Sequence, residues 1–141
     1  MALEELGLEV RILSNLIYNR LNQITMEVEN LTIHQYWILS YLTVNLDKEV
    51  HQKEIEHFFS IKRSTTNEML RTMETRGFIR RTVSSKDSRR NILSVTEEGI
   101  KAREQLDQEL HQIMLRFFGD IPRSELEQFQ RTLKTLRHNI E

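Results

Sequence analysis

Between Gly77 and Thr96 the apolar residues of this chain leave helical spacing and alternate instead. "FIRRTV" (residues 78–83) and "NILSV" (residues 91–95) are β-branched or aromatic segments joined by the polar loop "SSKDSRR". That pattern predicts a β-hairpin with a basic tip. Elsewhere apolar side chains recur every three or four positions, and Gly and Pro number only 4 and 1 in 141 residues. The expectation is therefore a mainly α fold with a small β-hairpin wing, built as one domain-sized unit.

The helices can be placed by their stripes and caps. Leu3, Leu6, Val10, Leu13, Ile17, Leu21 and Ile24 draw one apolar line along a helix of about six turns. A second helix opens at "TIHQYWIL", where Thr32 and Gln35 have capping-box spacing and Tyr36, Leu39 and Leu42 (or Ile38) face inward, and it fades by Leu46 and Asp47. Two short helices follow with a tight joint, residues 52–59 burying Ile55, Phe58 and Phe59, and residues 63–76 closed by Gly77 as a left-handed cap. Thr96 then caps a helix whose first turn carries Glu97 and Glu98, and it runs to about Phe118. A last helix, residues 123–139, is expected to bury Leu126, Phe129, Leu133 and Leu136 (or Ile140). Helix, turn, helix and hairpin in that order make a winged helix-turn-helix over residues 31–99. The flanking segments, residues 1–30 and 100–141, are apolar beyond what one such lobe needs.

On the helix of residues 63–76, Thr66, Met69, Leu70 and Met73 follow i, i+3, i+4, i+7 and define the core face. The opposite face offers Ser64, Asn67, Glu68, Arg71 and Thr75, with Arg63 at its start, small or forked polar groups suited to base edges in a DNA major groove, where Thr65 is also expected to bind. Arg71 would take a guanine bidentately and Asn67 an adenine, while Lys62 meets phosphate. Lys86, Arg89 and Arg90 give the hairpin tip a narrow cationic shape that fits a minor groove. Asp87 is expected to hold that tip, by an Asx-type turn or by pairing with Arg89 or Arg90.

Charge supports the same surface. The whole chain carries -1, yet residues 62–90 hold nine bases against three acids, a local +6, which leaves -7 for the rest. A basic strip on an acidic body is what phosphate binding asks for. Several other classes find no residues to work with. There is no Cys, which removes disulfides, thiolate metal sites and thiol catalysis. The five His include no i, i+4 pair, so no metal or cofactor is expected. Neither a Gly-rich phosphate loop nor a nucleophile elbow is present, and no enzyme is expected. An acidic start without a long apolar run suggests a soluble, cytoplasmic protein. The competing function is a winged helix used for protein interaction or assembly without sequence-specific DNA binding, but nine clustered bases fit such an interface less well than aromatic and Met anchors would.

Asp87, Arg89, Thr96 and Gly99 stand at the spacing of an Asp-x-Arg wing followed by Thr-x-x-Gly, and "RSTTNEMLRTMETRGFIRR" is similar to a recognition helix with its closing Gly. In this order the chain resembles the MarR (multiple antibiotic resistance regulator) family of bacterial transcriptional regulators over nearly its whole length. The resemblance implies a homodimeric repressor whose first and last helices interlock, with two lobes on a pseudo-palindromic operator. It also implies that Arg89 enters the minor groove and that the helix of residues 63–76 lies in the major groove. Family members often release DNA on binding aromatic acids or phenols, which points to Tyr18, Tyr36, Trp37 and Tyr41 as an effector pocket. Two departures stand out: Lys62 where a capping Ser is common, and Glu68 where a base is frequent. Glu68 is expected to accept from a cytosine amino group or to pair with a base such as Arg71.

Overall fold

The computed structural model describes residues 1–87 and 89–141; Ser88, in the predicted hairpin loop, lies outside the described residues. The chain divides into two compact units, Met1–Asp107 and Gln108–Glu141. The first holds α1 (Leu3–Glu29), α2 (Ile33–Val44), β1 (Val50–His51), α3 (Gln52–Phe59), α4 (Arg63–Thr75), β2 (Ile79–Val83) and β3 (Asn91–Val95). It also holds the first half of α5 (Glu97–Phe118), whose remainder joins α6 (Arg123–Ile140) in the second.

Local chemistry sets the element ends. The Gln35 N–H donates to Thr32 Oγ1 at 3.1 Å and the Thr32 N–H to Gln35 Oε1 at 2.9 Å, closing the capping box of α2. Such a cap contributes about 1 kcal/mol. Gly77 takes φ +79°, and behind it the N–H groups of Gly77 and Phe78 donate to the carbonyls of Glu74 and Met73. This Schellman arrangement ends α4 and sends the chain straight into β2. Thr96 Oγ1 accepts from the Gly99 N–H at 3.1 Å and donates to the Gly77 carbonyl at 2.6 Å, so one hydroxyl caps α5 and ties it to the end of α4. Gly99 is required there by close approach: a Cβ would sit 2.2 Å from the Phe78 carbonyl oxygen.

The hairpin strands pair antiparallel from Ile79↔Val95 to Val83↔Asn91. A third strand, β1, adds on the other side of β3 with Val50 opposite Leu93. Two residues are too few to show an alternating period, and that strand was not legible in the sequence. Leu21, Leu31, Ile33, Ile38, Leu39, Leu42, Ile55, Leu70, Met73, Ile79 and Leu93 are buried and make the core of the first unit. Each such side chain contributes roughly 1.5–3 kcal/mol by leaving water.

Three burial expectations are corrected. Phe58 is 42% exposed and Phe59 only half-buried. The inward stripe of the eight-residue α3 is led by Gln52 and Ile55, and the two rings gather over Tyr41, with centroids 4.7 Å (Tyr41–Phe58) and 4.9 Å (Phe58–Phe59) apart. Tyr36 is half-buried, its hydroxyl donated to Asp107, while Ile38, Leu39 and Leu42 fill the inward positions of α2. No residue of α6 is buried: Phe129, Leu133 and Leu136 remain exposed and Leu126 is half-buried. A unit two helices wide has no interior for both sides of its apolar stripe. The N-terminal half of α1 likewise exposes Leu3, Leu6, Val10 and Leu13.

Candidate nucleic-acid interface

The core face of α4 falls as its period requires, with Thr66, Leu70 and Met73 buried and Met69 half-buried. Arg63, Ser64, Thr65, Glu68 and Arg71 are therefore exposed on the other side. Lys62 stands at the N-cap, and its side chain makes no cap; the buried Thr66 hydroxyl donates to its carbonyl at 2.8 Å. The first N–H groups of α4 are thus left without a cap from the Lys62 side chain, the arrangement that attracts an anion. Among the described residues no ion pair joins Glu68 to Arg71.

Asp87 organises the wing tip. Its Oδ1 accepts from the Arg89 N–H at 3.0 Å and from Arg89 Nε at 3.2 Å, and Oδ2 lies 3.6 Å from Arg90 Nε. The Arg90 N–H donates to the Asp87 carbonyl, and the Ser84 N–H to the Arg90 carbonyl at 2.9 Å, closing the base of the loop. The Arg89 backbone N–H, aided by the two guanidinium groups, holds the Asp87 carboxyl below its ordinary range. Lys86, Arg89 and Arg90 project outward, the Arg89 side chain 88% exposed.

Not every base of the strip is free for a partner. Glu74 accepts from the Arg81 N–H at 3.3 Å and from its guanidinium at 3.4 Å, fixing β2 to α4. Arg76 donates to the carbonyls of Glu29 and Asn30, both at 2.7 Å, and lies 4.6 Å from the Phe78 ring centroid. That guanidinium caps the C-terminal end of α1, where the helix dipole favours a cation. Charge counting could not separate these two from the outward-facing bases, because their partners are remote or unmarked in sequence.

A cleft of about 780 Å³ separates α3 and the start of α4 from the wing, lined by His51, Gln52, Arg63, Asp87, Arg89 and Arg90 among others. Gln52 touches α4 and is itself touched by Asn91: Gln52 Nε2 donates to Asn67 Oδ1, and Asn91 Nδ2 donates to Gln52 Oε1 at 3.4 Å. The bidentate adenine contact expected of Asn67 needs both halves of its amide, and one is engaged inward. Sequence reasoning missed Gln52, although the spacing of Gln52, Ile55 and Phe59 places a polar amide on the inward stripe of α3.

The four aromatic residues expected to share a pocket belong to separate clusters. Tyr18 and Trp37 flank His34, with centroid distances of 5.3 Å and 5.4 Å. Burial lowers the His34 pKa. Tyr36 points to Asp107 and Ser40, and burial, then the Asp107 carboxylate, push its pKa up to about 12. Tyr41 belongs with Phe58 and Phe59, and its hydroxyl donates to Glu54, which also pairs with Lys48. Among the described residues no group of three His, Cys, Asp or Glu is placed to hold a metal, and no helix is long and apolar enough to cross a membrane.

An exposed polar helix face beside a cationic hairpin, on a three-stranded sheet, defines a winged helix-turn-helix protein with a DNA-binding fold. The sequence model of the MarR family matches residues 29–90. A transcription regulator MarR from Oenococcus oeni PSU-1 is 30% identical over 94% of this chain and 98% of that one, with a TM-score of 0.73. The chain belongs to the MarR family of transcriptional regulators. Two more distant solved structures share the fold. A MarR-family regulator from Rhodococcus sp. RHA1 has a TM-score of 0.85 at 20% identity, covering 96% of this chain and 95% of that one. The MepR–DNA complex of S. aureus has a TM-score of 0.82 at 22% identity, covering 100% and 99%. No curated protein matches the chain in sequence.

Proposed function

We propose that this regulator is a cytoplasmic homodimeric repressor that grips a pseudo-palindromic double-stranded operator and releases it when a small aromatic effector binds. The carrying observation is the cleft that brings Arg63 of α4 together with Arg89 and Arg90 of the wing. A reading helix and a minor-groove probe lie on either side of a strand of phosphates in such a geometry, so one lobe engages two grooves. Arg63, Ser64, Thr65 and Arg71 face the major groove, Lys62 and the uncapped N-terminus of α4 meet phosphate, and Lys86, Arg89 and Arg90 serve the wing, with Asp87 holding it. The S. aureus relative, solved as a DNA complex, supports this reading. The exposed apolar stripes of α1 and of α6 are the surfaces a second copy covers. That assigns residues 1–30 and 100–141 to dimerisation and residues 31–99 to the DNA-binding lobe.

For the effector, Tyr18, His34 and Trp37 are the best-supported recognition group, since their rings meet where α1 and α2 face each other. A ligand there shifts the population of lobe arrangements by its differential affinity and no more. Fluorescence anisotropy with DNA from upstream of the protein's own gene, against scrambled DNA at several salt concentrations, tests the DNA reading. Selective binding with a log–log salt slope of several units is expected. Failure to bind either DNA at low salt would overturn it.

A further inference from the structure

We propose that Gln52 is a specificity-determining positioning residue: it decides which half of the Asn67 amide is left to face a base. The inference rests on the placement of α4 in the major groove given above. Gln52 is the first residue of α3 and only 5% exposed. Its amide is engaged at both ends, donating to Asn67 on α4 and accepting from Asn91 at the start of β3. One side chain therefore spans three elements. With Asn67 and Asn91 as they stand, turning Gln52 alone over would set donor against donor at one end and acceptor against acceptor at the other, and a buried amide left unpaired is costly.

The consequence reaches the half-buried Asn67. Its carbonyl is held inward by Gln52, so the group it presents outward is the amide N–H₂, a donor. In the major groove a lone donor of this kind finds acceptors in purine N7 and in the keto oxygens, and at the exocyclic position only guanine O6 or thymine O4 accepts it. The amino bases, adenine and cytosine, present a donor at the corresponding position and are disfavoured. The direction of the relay, Asn91 to Gln52 to Asn67, thus becomes a base preference at a position that Gln52 itself never touches.

One substitution turns the Asn67 end of the relay. A carboxylate only accepts, so in Gln52→Glu the Asn91 N–H₂ keeps donating to residue 52 while Asn67 must turn its own N–H₂ toward it, and the Asn67 carbonyl swings outward to read amino bases. Gln52→Met keeps length and volume but removes both bonds, freeing Asn67. The experiment is selection from randomised double-stranded DNA with the wild type, Gln52→Glu, Gln52→Met and Asn67→Ala, with thermal melts of each. Asn67→Ala identifies the position concerned as the one where preference disappears. The wild type is expected to favour guanine or thymine there, Gln52→Glu to move the keto-to-amino ratio roughly tenfold toward adenine or cytosine, and Gln52→Met to flatten it. A general structural defect would lower affinity on all sequences and leave that ratio alone. Unchanged preference in the folded Gln52 variants, or in Asn67→Ala, overturns the inference, and Gln52→Met carries the test if a buried carboxylate prevents folding. Selection of no sequence by the wild type overturns the DNA-binding reading instead.

Discussion

Arg89→Ala separates a wing that enters DNA from one that merely decorates the surface. The Arg89 guanidinium stands at the loop tip, 88% exposed, aimed by its bonds to Asp87. A cation placed against the duplex releases condensed counterions, and each such contact adds about 0.9 to the log–log salt slope of the binding constant. Two wings per dimer make the expected change about 1.8. Between about 50 and 200 mM salt, a roughly fourfold change, the wild type should lose about twelvefold more affinity than the variant. Anisotropy titrations across that range measure both slopes. A variant slope indistinguishable from the wild type would show that Arg89 does not contact the duplex. Asp87→Ala provides the control on charge alone. It raises the local charge by one, so simple attraction predicts tighter binding; loss of the acceptor for the Arg89 N–H and guanidinium predicts weaker binding. We expect weaker binding, and tighter binding would refute the role given to the turn.

Three further outcomes follow from the packing. Leu133→Lys or Leu13→Lys puts a charge in an exposed apolar stripe and should give monomers in sedimentation; an intact dimer would contradict the interface. Gly99→Ala drives a methyl to 2.2 Å from the Phe78 carbonyl and 2.8 Å from Val95 Cγ2. A cost of about 2–3 kcal/mol, or roughly 10 °C in Tm, is expected, against which a shift under about 2 °C would count. Burial disfavours the charged form of His34, so its folded pKa lies below its unfolded value. The unfolded chain then binds more protons as pH falls through 6.5, and stability declines from that point until the lowered folded pKa is reached. His34→Phe keeps a ring between Tyr18 and Trp37 and should flatten that part of the Tm–pH profile; an unchanged profile would remove His34 as its source.

Much of the candidate interface was legible because its signals are local. The i, i+3, i+4, i+7 spacing of Thr66, Met69, Leu70 and Met73 assigns the two faces of α4 within two turns, and Gly77 and Thr96 mark both ends of the hairpin by their own conformational needs. Asp87 was legible too, since its Asx-type bond reaches only two residues along the chain. Phe58 and the stripes of α1 and α6 were harder: periodicity says that a face is apolar, but not whether the same chain supplies its cover.

The sequence by itself determined the order of the helices, the capped helix ends, the hairpin and the basic strip, because backbone propensity and hydrophobic period act between near neighbours. Only the tertiary structure decided how those bases divide. Arg76 is committed to carbonyls 46 and 47 residues away, and Arg81 is drawn to Glu74 across the turn between α4 and β2. It also decided that Asn67 reaches Asn91 through Gln52, which lies 15 positions from one and 39 from the other. Hydrogen bonds at that separation exist only after the core has brought α1, α3, α4 and the sheet together, and no spacing rule along the chain encodes them.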